Sequence, residues 1–301
     1  MHKLLIFACE HGHLDIVKHL NNQAITSYSF RYDNNYVLFL AYKNGHLDIV
    51  KYLVSFGFFL NDDHLKIVIF RMCRDGHMNS VKYLIERLPL GINLLDYICY
   101  NGNAALRLAC RYGHIDIVKY LMKLGLSLDD IRSHDNYALQ FACRNGHLDV
   151  VKYLISQGLT LNDIRYIDNV YSLRSEKNYA LKWACRNGHL DIVKYLVEQG
   201  LDLNDIRFEN NYMLRHTCIS GHLDVVKYLV SLGLSLDDVC SKNNHAFRNA
   251  CENGHLDIAR YLVKQCPGLL KYVDSYYVAK LKKKFKLPHI VDFIEIQLGS
   301  K

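Results

Sequence analysis

Residues 184–200 read ACRNGHLDIVKYLVEQG, and residues 142–158 read ACRNGHLDVVKYLISQG. The Gly-His dipeptide that they share occurs eight times, at intervals of 33, 31, 37, 33, 42, 33 and 33 residues. Self-similarity with a period of about 20 to 50 residues is typical of repeat architectures. The chain is therefore predicted to be an array of short supersecondary repeats. The glycines that mark them are Gly12, Gly45, Gly76, Gly113, Gly146, Gly188, Gly221 and Gly254.

Each repeat is predicted to begin with a short helix. In the repeat around Gly188, Asn178 is expected to be the N-cap, because its side chain can accept a hydrogen bond from an unpaired backbone N–H. The helix then covers residues 179–186 and ends at Gly188, since glycine tolerates the left-handed backbone of a helix end. Its apolar residues at helical spacing are Leu181, Ala184 and Cys185.

A second helix completes the repeat. It is predicted to begin near Leu190 and to end at Gly200, with apolar residues at the i, i+3, i+4 spacing of an amphipathic helix. Residues 201–210 are expected to form a tight turn to the next repeat. One helix pair cannot bury its own apolar face, so at least about three repeats must stack.

The repeats define the domain organisation. Residues 1–274 are predicted to contain eight repeats, and residues 275–301 a degenerate ninth repeat or C-terminal cap. Val291 in this tail stands where Val193 stands in the repeat around Gly188. The tail is rich in lysine, and a terminal repeat needs a polar outer face to stop further stacking.

Composition bounds the class of protein. Half of the residues are hydrophobic and 22% are charged, which predicts a folded chain. No apolar run approaches the roughly 18 residues that span a bilayer, and the N-terminus has too few apolar residues for a signal peptide. We therefore expect an intracellular protein that does not bind membranes. A net charge of +7 permits acidic partners without requiring them.

The repeats closely resemble the ankyrin-repeat family. Residues 184–193 match its pattern of a small pair, two variable residues and Gly-His-Leu-acidic-Val-Val, with Ile192 at the first valine, and Gly200 matches the later glycine. The resemblance covers essentially the whole chain. It implies an all-α solenoid of stacked helix-turn-helix units with connecting hairpin loops, a monomer without cofactors that binds other proteins. The repeats are also similar to the ankyrin proteins of giant viruses that infect amoebae, which implies a host protein as partner and the host cytoplasm as location.

Some residues depart from the family pattern. The family opens its first helix with Thr-Pro-Leu-His, whereas residues 179–182 read Tyr-Ala-Leu-Lys, so the preceding asparagine is expected to supply the cap. The third repeat is irregular, with Met72 at the small position. No F-box or BTB adaptor region is recognisable.

Ten cysteines and sixteen histidines could suggest metal or redox chemistry, but their positions favour packing. Equivalent helices pack about 8–10 Å apart, whereas a disulfide needs Cα atoms within about 7 Å. No Cys-x-x-Cys pair is present, so neither disulfides nor a metal site are predicted. Seven cysteines stand three residues before the glycine: Cys9, Cys73, Cys110, Cys143, Cys185, Cys218 and Cys251.

The recurrent histidines and tyrosines are also predicted to stabilise the fold rather than to carry chemistry. One histidine follows each marker glycine and is predicted to form hydrogen bonds across the turn between repeats. The tyrosines of the second helix, such as Tyr120, Tyr153, Tyr195 and Tyr228, are predicted to form a packed ladder. Because no catalytic or nucleotide-binding motif is present, the chain is not expected to be an enzyme.

Candidate binding residues lie on the first helix, six and two residues before the glycine. These positions are four apart and share one helix face, and the family resemblance places the second in a concave groove. Two interpretations stay open: a solvated charged face, or a basic groove for an acidic protein segment. The basic residues at the first position include Arg107, Lys182 and Arg215, and those at the second are Lys43, Arg74, Arg111, Arg144 and Arg186.

A nine-residue insertion, residues 166–174, is a second candidate. Its Tyr166 and Tyr171 offer the kind of contact area that is enriched at binding surfaces. The alternative is a neutral insertion, because loops tolerate added length at low cost.

The leading functional prediction is a non-enzymatic scaffold for protein–protein interaction. Nucleic-acid binding through the basic face is an alternative, and it is less favoured because aromatic residues are not interleaved with the basic C-terminal positions. A substrate adaptor of ubiquitin ligases is a further alternative, against which the missing recruitment region argues.

Overall fold

A computed structural model of the protein describes residues 2–24, 34–88, 93–165, 178–273, 275–285 and 287–299. Within these ranges the regular structure is helical and no β-strand occurs, which confirms the predicted all-α class. Contacts divide the chain into two modules. The N-terminal module comprises residues 1–142 and 152–157, and the C-terminal module comprises residues 143–151 and 158–301.

Both modules consist of helices that follow one another along the chain. In the N-terminal module they are α1 (His2–His11), α2 (Leu14–Ala24), α3 (Asn34–Lys43), α4 (Leu47–Ser55), α5 (Asp62–Asp75), α6 (Met78–Ile85), α7 (Leu94–Ile98), α8 (Tyr100–Tyr112) and α9 (Ile115–Lys123). Residues of both modules occur in α10 (Leu128–Asn145) and α11 (Leu148–Ser156). The C-terminal module continues with α12 (Leu161–Ile164), α13 (Tyr179–Arg186), α14 (Leu190–Glu198), α15 (Leu203–Ser220), α16 (Leu223–Ser231), α17 (Leu236–Val239), α18 (Ser241–Glu252), α19 (Leu256–Gln265), a 3-10 helix (Pro267–Tyr272), α20 (Ser275–Lys280), a π-helical turn (Leu281–Phe285) and α21 (Pro288–Gly299).

The predicted apolar positions form the core of each repeat. In the repeat around Gly188, Leu181, Ala184 and Cys185 of the first helix are fully buried. On the second helix the buried residues are Ile192, Val193 and Leu196. The repeat is therefore held by the helix faces that the 3.6-residue period predicts.

The cysteines three residues before each glycine are part of this core. All seven have no exposed surface, and burial raises the pKa of thiols such as Cys143 and Cys185 well above the ordinary value. The ten cysteines are free thiols, as predicted. Cys99 and Cys240 are only half-buried.

These differences predict how the thiols react. Only the thiolate is nucleophilic, so a buried thiol with a raised pKa should react slowly. In the native protein we expect a thiol reagent to modify Cys99 and Cys240 first, and the core cysteines only after denaturant is added. Mass spectrometry of the labelled peptides measures this order. Rapid native labelling of Cys143 or Cys185 would contradict the packing described above.

Each marker glycine ends the first helix in a left-handed conformation, with φ between 75° and 85° at the eight positions. At six of these glycines, Gly12, Gly45, Gly76, Gly146, Gly188 and Gly221, the imidazole of the following repeat lies against the glycine. A Cβ atom added at Gly188 would lie 2.4 Å from Nδ1 of His222, and one added at Gly45 would lie 2.4 Å from Nδ1 of His77. Glycine is therefore required here both by the backbone and by the neighbouring ring.

The histidines also confirm the predicted hydrogen bonds between repeats. Nε2–H of His189 donates to the carbonyl of Arg144 at 3.0 Å, and that of His255 donates to the carbonyl of Ile219 at 3.0 Å. In the N-terminal module His114 donates to the carbonyl of Arg74 at 2.8 Å. Each bond satisfies a carbonyl at the C-terminal end of the preceding repeat's first helix.

The connections between repeats differ from the expected hairpin loops and tight turns. They begin with a helical turn, such as Leu161–Ile164 or Leu236–Val239. The cause is a local capping box, in which the Thr160 hydroxyl and the Asp163 carboxylate bond reciprocally to each other's backbone N–H. The same arrangement joins Asp202 and Asp205.

A left-handed turn then precedes the first helix, and it corrects the predicted role of the asparagine. Asn178 has φ of 60° and its side chain makes no capping hydrogen bond. An N-cap normally has an extended backbone, whereas this left-handed backbone leaves the amide free to reach the next repeat. There Nδ2 of Asn178 donates to Oδ1 of Asp205 at 3.3 Å.

Asp205 and Asp238 are the acceptors that tie consecutive repeats together in the C-terminal module. The guanidinium of Arg165 donates to both carboxylate oxygens of Asp205, with distances of 2.7–3.0 Å. Arg207 makes the same bidentate pair with Asp238, at 2.8–3.0 Å. Burial by itself would raise the pKa of Asp238, but the hydrogen bonds from Arg207 and its capping serine lower it below the usual value.

On the second helices, a lysine of one repeat lies over a tyrosine ring of the next, which confirms the predicted ladder. The distances from Nζ to the ring centre range from 5.7 to 5.9 Å. The pairs in the N-terminal module are Lys51–Tyr83, Lys82–Tyr120 and Lys119–Tyr153, and those in the C-terminal module are Lys194–Tyr228 and Lys227–Tyr261.

The tail packs on the last full repeat. The Arg260 guanidinium lies 5.7 Å from the ring centre of Phe293, so Phe293 takes the place that tyrosine has in the ladder. Tyr277 is 1% exposed, and its hydroxyl donates to the carbonyl of Arg248 at 3.0 Å. These contacts support the proposal that residues 275–301 form a degenerate ninth repeat. Its surface is not uniformly polar, because Ile296 is 63% exposed.

Candidate functional site

The basic residues six before the glycine are used inside the chain. Nε and Nη2 of Arg215 donate to the carbonyls of Asn210 and Glu209, both at 2.9 Å. Nη2 of Arg107 donates to the carbonyl of Asn101 at 2.7 Å. These carbonyls belong to residues with a left-handed backbone, just before the regular part of the helix. The first-position arginines therefore stabilise that turn.

Lys182 occupies the same position and is also engaged. It is only 4% exposed, and its Nζ lies 3.1 Å from Oε2 of Glu209. Three aromatic rings surround the ammonium group, with the nearest centre, that of Tyr212, at 4.7 Å. A cation enclosed in this way has little left to offer a partner.

The basic residues two before the glycine are more accessible. In the N-terminal module they lie on α3, α5 and α8, which pack side by side. Lys43 and Arg74 are half-exposed, and Arg74 is paired with Asp75 at 2.7 Å. Arg111 is exposed, and its guanidinium lies 4.8 Å from the ring centre of Phe141.

In the C-terminal module two exposed arginines share one aromatic ring. The guanidinium carbon of Arg144 lies 4.1 Å from the centre of Trp183, and that of Arg186 lies 5.2 Å from it. Stacking of this kind restrains the flat face of a guanidinium while its N–H edges stay available. The pair is thus positioned to bind planar anions such as carboxylates.

Aromatic residues on the same helices were not identified as site residues from the sequence. Phe141, Trp183 and His216 stand five residues before their glycines, and each follows a tyrosine by four residues, a spacing that could have revealed them. The His216 ring stacks on that of Tyr212 at 3.9 Å. The basic second position therefore lies on a surface of stacked rings.

The electrostatics of this surface in the C-terminal module are positive. The pKa of His216 is lowered to about 4, first by burial and then by the charges of Arg215, Arg186 and Lys182 and of His245. The charged groups that contribute most to that shift are therefore all basic. An acidic ligand placed beside His216 would reverse the electrostatic part of the shift.

The remaining predictions concern the insertion, metal binding and membrane-spanning helices. Tyr166 and Tyr171 of the insertion lie outside the described residues. In the described part of the chain, no group of three or more His, Cys, Asp or Glu side chains is arranged to hold a metal ion. None of the described helices has the length and apolar character that crossing a membrane requires.

Comparison with protein families covers most of the chain. The family model described as "Ankyrin repeats (3 copies)" matches residues 2–64, 38–135 and 124–207, and that described as "Ankyrin repeats (many copies)" matches residues 214–263. No curated protein matches the chain. The matched ranges contain the eight marker glycines and the helices that carry both basic positions.

Proposed function

Because the chain belongs to the ankyrin-repeat family, whose repeats generally mediate binding between proteins, we propose that it is a non-enzymatic scaffold for an acidic protein segment. The observation that carries the proposal is the pair of exposed guanidiniums, Arg144 and Arg186, on the ring of Trp183. Arg111 on Phe141 repeats the arrangement in the N-terminal module.

Preorganisation is the physical reason that these arginines suit binding. An immobilised side chain costs about 0.5–1.5 kcal/mol of conformational entropy at an interface. Stacking on Trp183 or Phe141 meets part of that cost before a partner arrives. Charge-assisted hydrogen bonds to a carboxylate then contribute about 1.5–3 kcal/mol each.

The proposed binding set is narrower than the sequence alone predicts. Arg107, Lys182 and Arg215 are assigned to the left-handed turns, because each of them donates a hydrogen bond to a residue of such a turn. The proposed contacts are therefore the second-position residues, and the insertion at residues 166–174 is proposed as a second contact region. The second-position residues are Lys43, Arg74, Arg111, Arg144 and Arg186.

Nucleic-acid binding is the second candidate. The observation in its favour is that aromatic rings lie between the basic residues of the second position. Bases would need free aromatic faces for stacking. Trp183 already carries two guanidiniums, and Phe141 has Arg111 at 4.8 Å and Tyr137 at 4.7 Å. These rings serve to position arginine, which favours carboxylates over bases. No described residue favours the ubiquitin-ligase adaptor.

The resemblance of the repeats to giant-virus ankyrin proteins extends the proposal. It supports a host protein as partner and the host cytoplasm as the location, with the chain acting as a monomer. The support is the amino-acid sequence of the repeats, in which residues 184–200 are followed by LNDIR at residues 203–207.

Charge reversal tests the proposed surface. Replacing Arg111, Arg144 and Arg186 together by glutamate should weaken binding of a fluorescent glutamate-rich peptide at least about tenfold at low salt, because electrostatic attraction becomes repulsion. The loss should shrink as salt rises. Fluorescence anisotropy measures the affinity, and circular dichroism checks that the helices persist.

A matched control carries the same charge change elsewhere. Lys119→Glu, Lys194→Glu and Lys227→Glu also remove exposed cations that lie over rings, but on the second helices. Equal losses in the two triple variants would mean that only net charge matters. Stronger binding of single-stranded DNA than of the peptide would favour the nucleic-acid alternative.

A further inference from the structure

The repeat around Gly45 departs from the others at positions that meet in one place. Tyr42 stands three residues before the glycine, where seven repeats have cysteine. Phe59 stands where the capping residues Ser127, Thr160 and Ser235 stand in other repeats, and it is 71% exposed. In this repeat the helix is capped two residues later, by Asn61, whose Oδ1 accepts a hydrogen bond from the backbone N–H of His64 at 2.9 Å, so an exposed Phe59 has no capping role.

Both residues line a cavity of about 310 Å³ in the N-terminal module. This volume is at the lower end of the range for small-molecule sites. The walls are mainly apolar, and the residues that form them are Leu38, Val54, Phe58, Leu60, Leu65, Leu84 and Leu88. The cavity can therefore hold the apolar body of a small ligand.

Two polar groups of the cavity are left for a ligand. Tyr42 is 2% exposed, and none of the described residues forms a hydrogen bond with its hydroxyl. The positive charge of Arg87 acts on this hydroxyl, where it opposes the effect of burial on the pKa of Tyr42. Arg87 lies flat on the ring of Tyr83 at 3.8 Å, and no described carboxylate forms an ion pair with it.

The carboxylate of Asp62 also lines the cavity. Burial and then this carboxylate raise the pKa of Tyr97, so the charge of Asp62 acts on the Tyr97 hydroxyl. The arginine and the Tyr42 hydroxyl are thus the hydrogen-bond donors that the described lining residues offer to an acceptor of the ligand.

We propose that this cavity binds a carboxylic acid with an apolar body. The apolar part fills the space between Leu38, Phe58 and Leu84, and the carboxylate meets the guanidinium of Arg87 and the hydroxyl of Tyr42. Arg87 is exposed at the mouth of the cavity, and charge-assisted hydrogen bonds from a guanidinium to a carboxylate are stronger than those between neutral groups. The proposal uses other residues than the acidic-segment surface and stands independently of it.

Calorimetric titration of the full chain with octanoate tests the proposal. We expect octanoate to bind and both octanol and octylamine to bind at least about tenfold more weakly, because they lack the charge that Arg87 recognises. Arg87→Gln and Tyr42→Phe should each weaken octanoate about tenfold and leave octanol unchanged. Phe59→Ser, which restores the residue of other repeats at an exposed site, should weaken octanoate and octanol alike.

Controls separate the site from general effects. Lys123→Gln removes an exposed cation of the same module outside the cavity and should change nothing. A short peptide ending in leucine with a free carboxylate, compared with its C-terminal amide, separates a peptide terminus from a free acid as the source of the ligand. The proposal is overturned if octanoate does not bind, if octylamine binds as well, or if Arg87→Gln binds octanoate like the wild type.

Discussion

Replacing Gly188 by alanine should lower the free energy of unfolding by about 2–5 kcal/mol. Two causes add. The backbone has φ of 79°, which costs an L-residue about 1–2 kcal/mol. The new Cβ would also lie 2.4 Å from Nδ1 of His222, so the imidazole of the next repeat must move. Urea denaturation followed by the fluorescence of Trp183, the single tryptophan, measures the loss within the C-terminal module.

Gly254 provides the matched control for this prediction. It has nearly the same φ, 81°, and also precedes a histidine, but the nearest atom to an added Cβ is Cδ2 of Leu287 at 3.6 Å. Gly254→Ala should therefore cost only the backbone part, about 1–2 kcal/mol. If the two variants were equally unstable, the contact between glycine and the following imidazole would contribute nothing.

Deleting residues 275–301 should destabilise the C-terminal module by about 5 kcal/mol or cause aggregation, because the last full repeat loses its apolar cover. The side chains that would be lost are buried: Tyr277, Leu281, Ile290, Val291 and Ile294. Size-exclusion chromatography and urea denaturation distinguish aggregation from a soluble but weaker fold.

Point variants in α21 sharpen the test of the tail. Ile294 is fully buried and Ile296, two residues on, is 63% exposed. Ile294→Ala should cost about 2–5 kcal/mol, whereas Ile296→Ala should stay within about 0.5 kcal/mol. A soluble deletion variant with an unchanged melting temperature would show that the tail is not a cap.

The helices were predictable because the pattern that encodes them is repeated and local. The buried face of α13 follows from the spacing of Leu181, Ala184 and Cys185, and its end follows from Gly188. The role of the histidines was also predictable, because one imidazole per repeat cannot form a metal cluster and has a carbonyl within reach in the preceding repeat.

The connections were not predictable by the same reasoning. Asn178 has the sequence context of an N-cap, but its left-handed backbone turns the amide toward Asp205 of the next repeat. That contact is 27 residues away, so local propensity does not reveal it. Lys182 and Arg215 were mistaken for free surface charges for the same reason, since their acceptors are created by the turn.

The hydrogen bonds between an asparagine and the aspartate of the next repeat determine where residues can be inserted into the chain. The separation is 27 residues for Asn103–Asp130, Asn178–Asp205 and Asn211–Asp238. The aspartate and the asparagine that follows it are six positions apart in Asp205–Asn211 but fifteen positions apart in Asp163–Asn178. The difference of nine is the whole insertion. Evolution or an engineer can therefore lengthen a repeat in this short interval, whereas a residue added within the 27-residue interval would separate two neighbours that must meet.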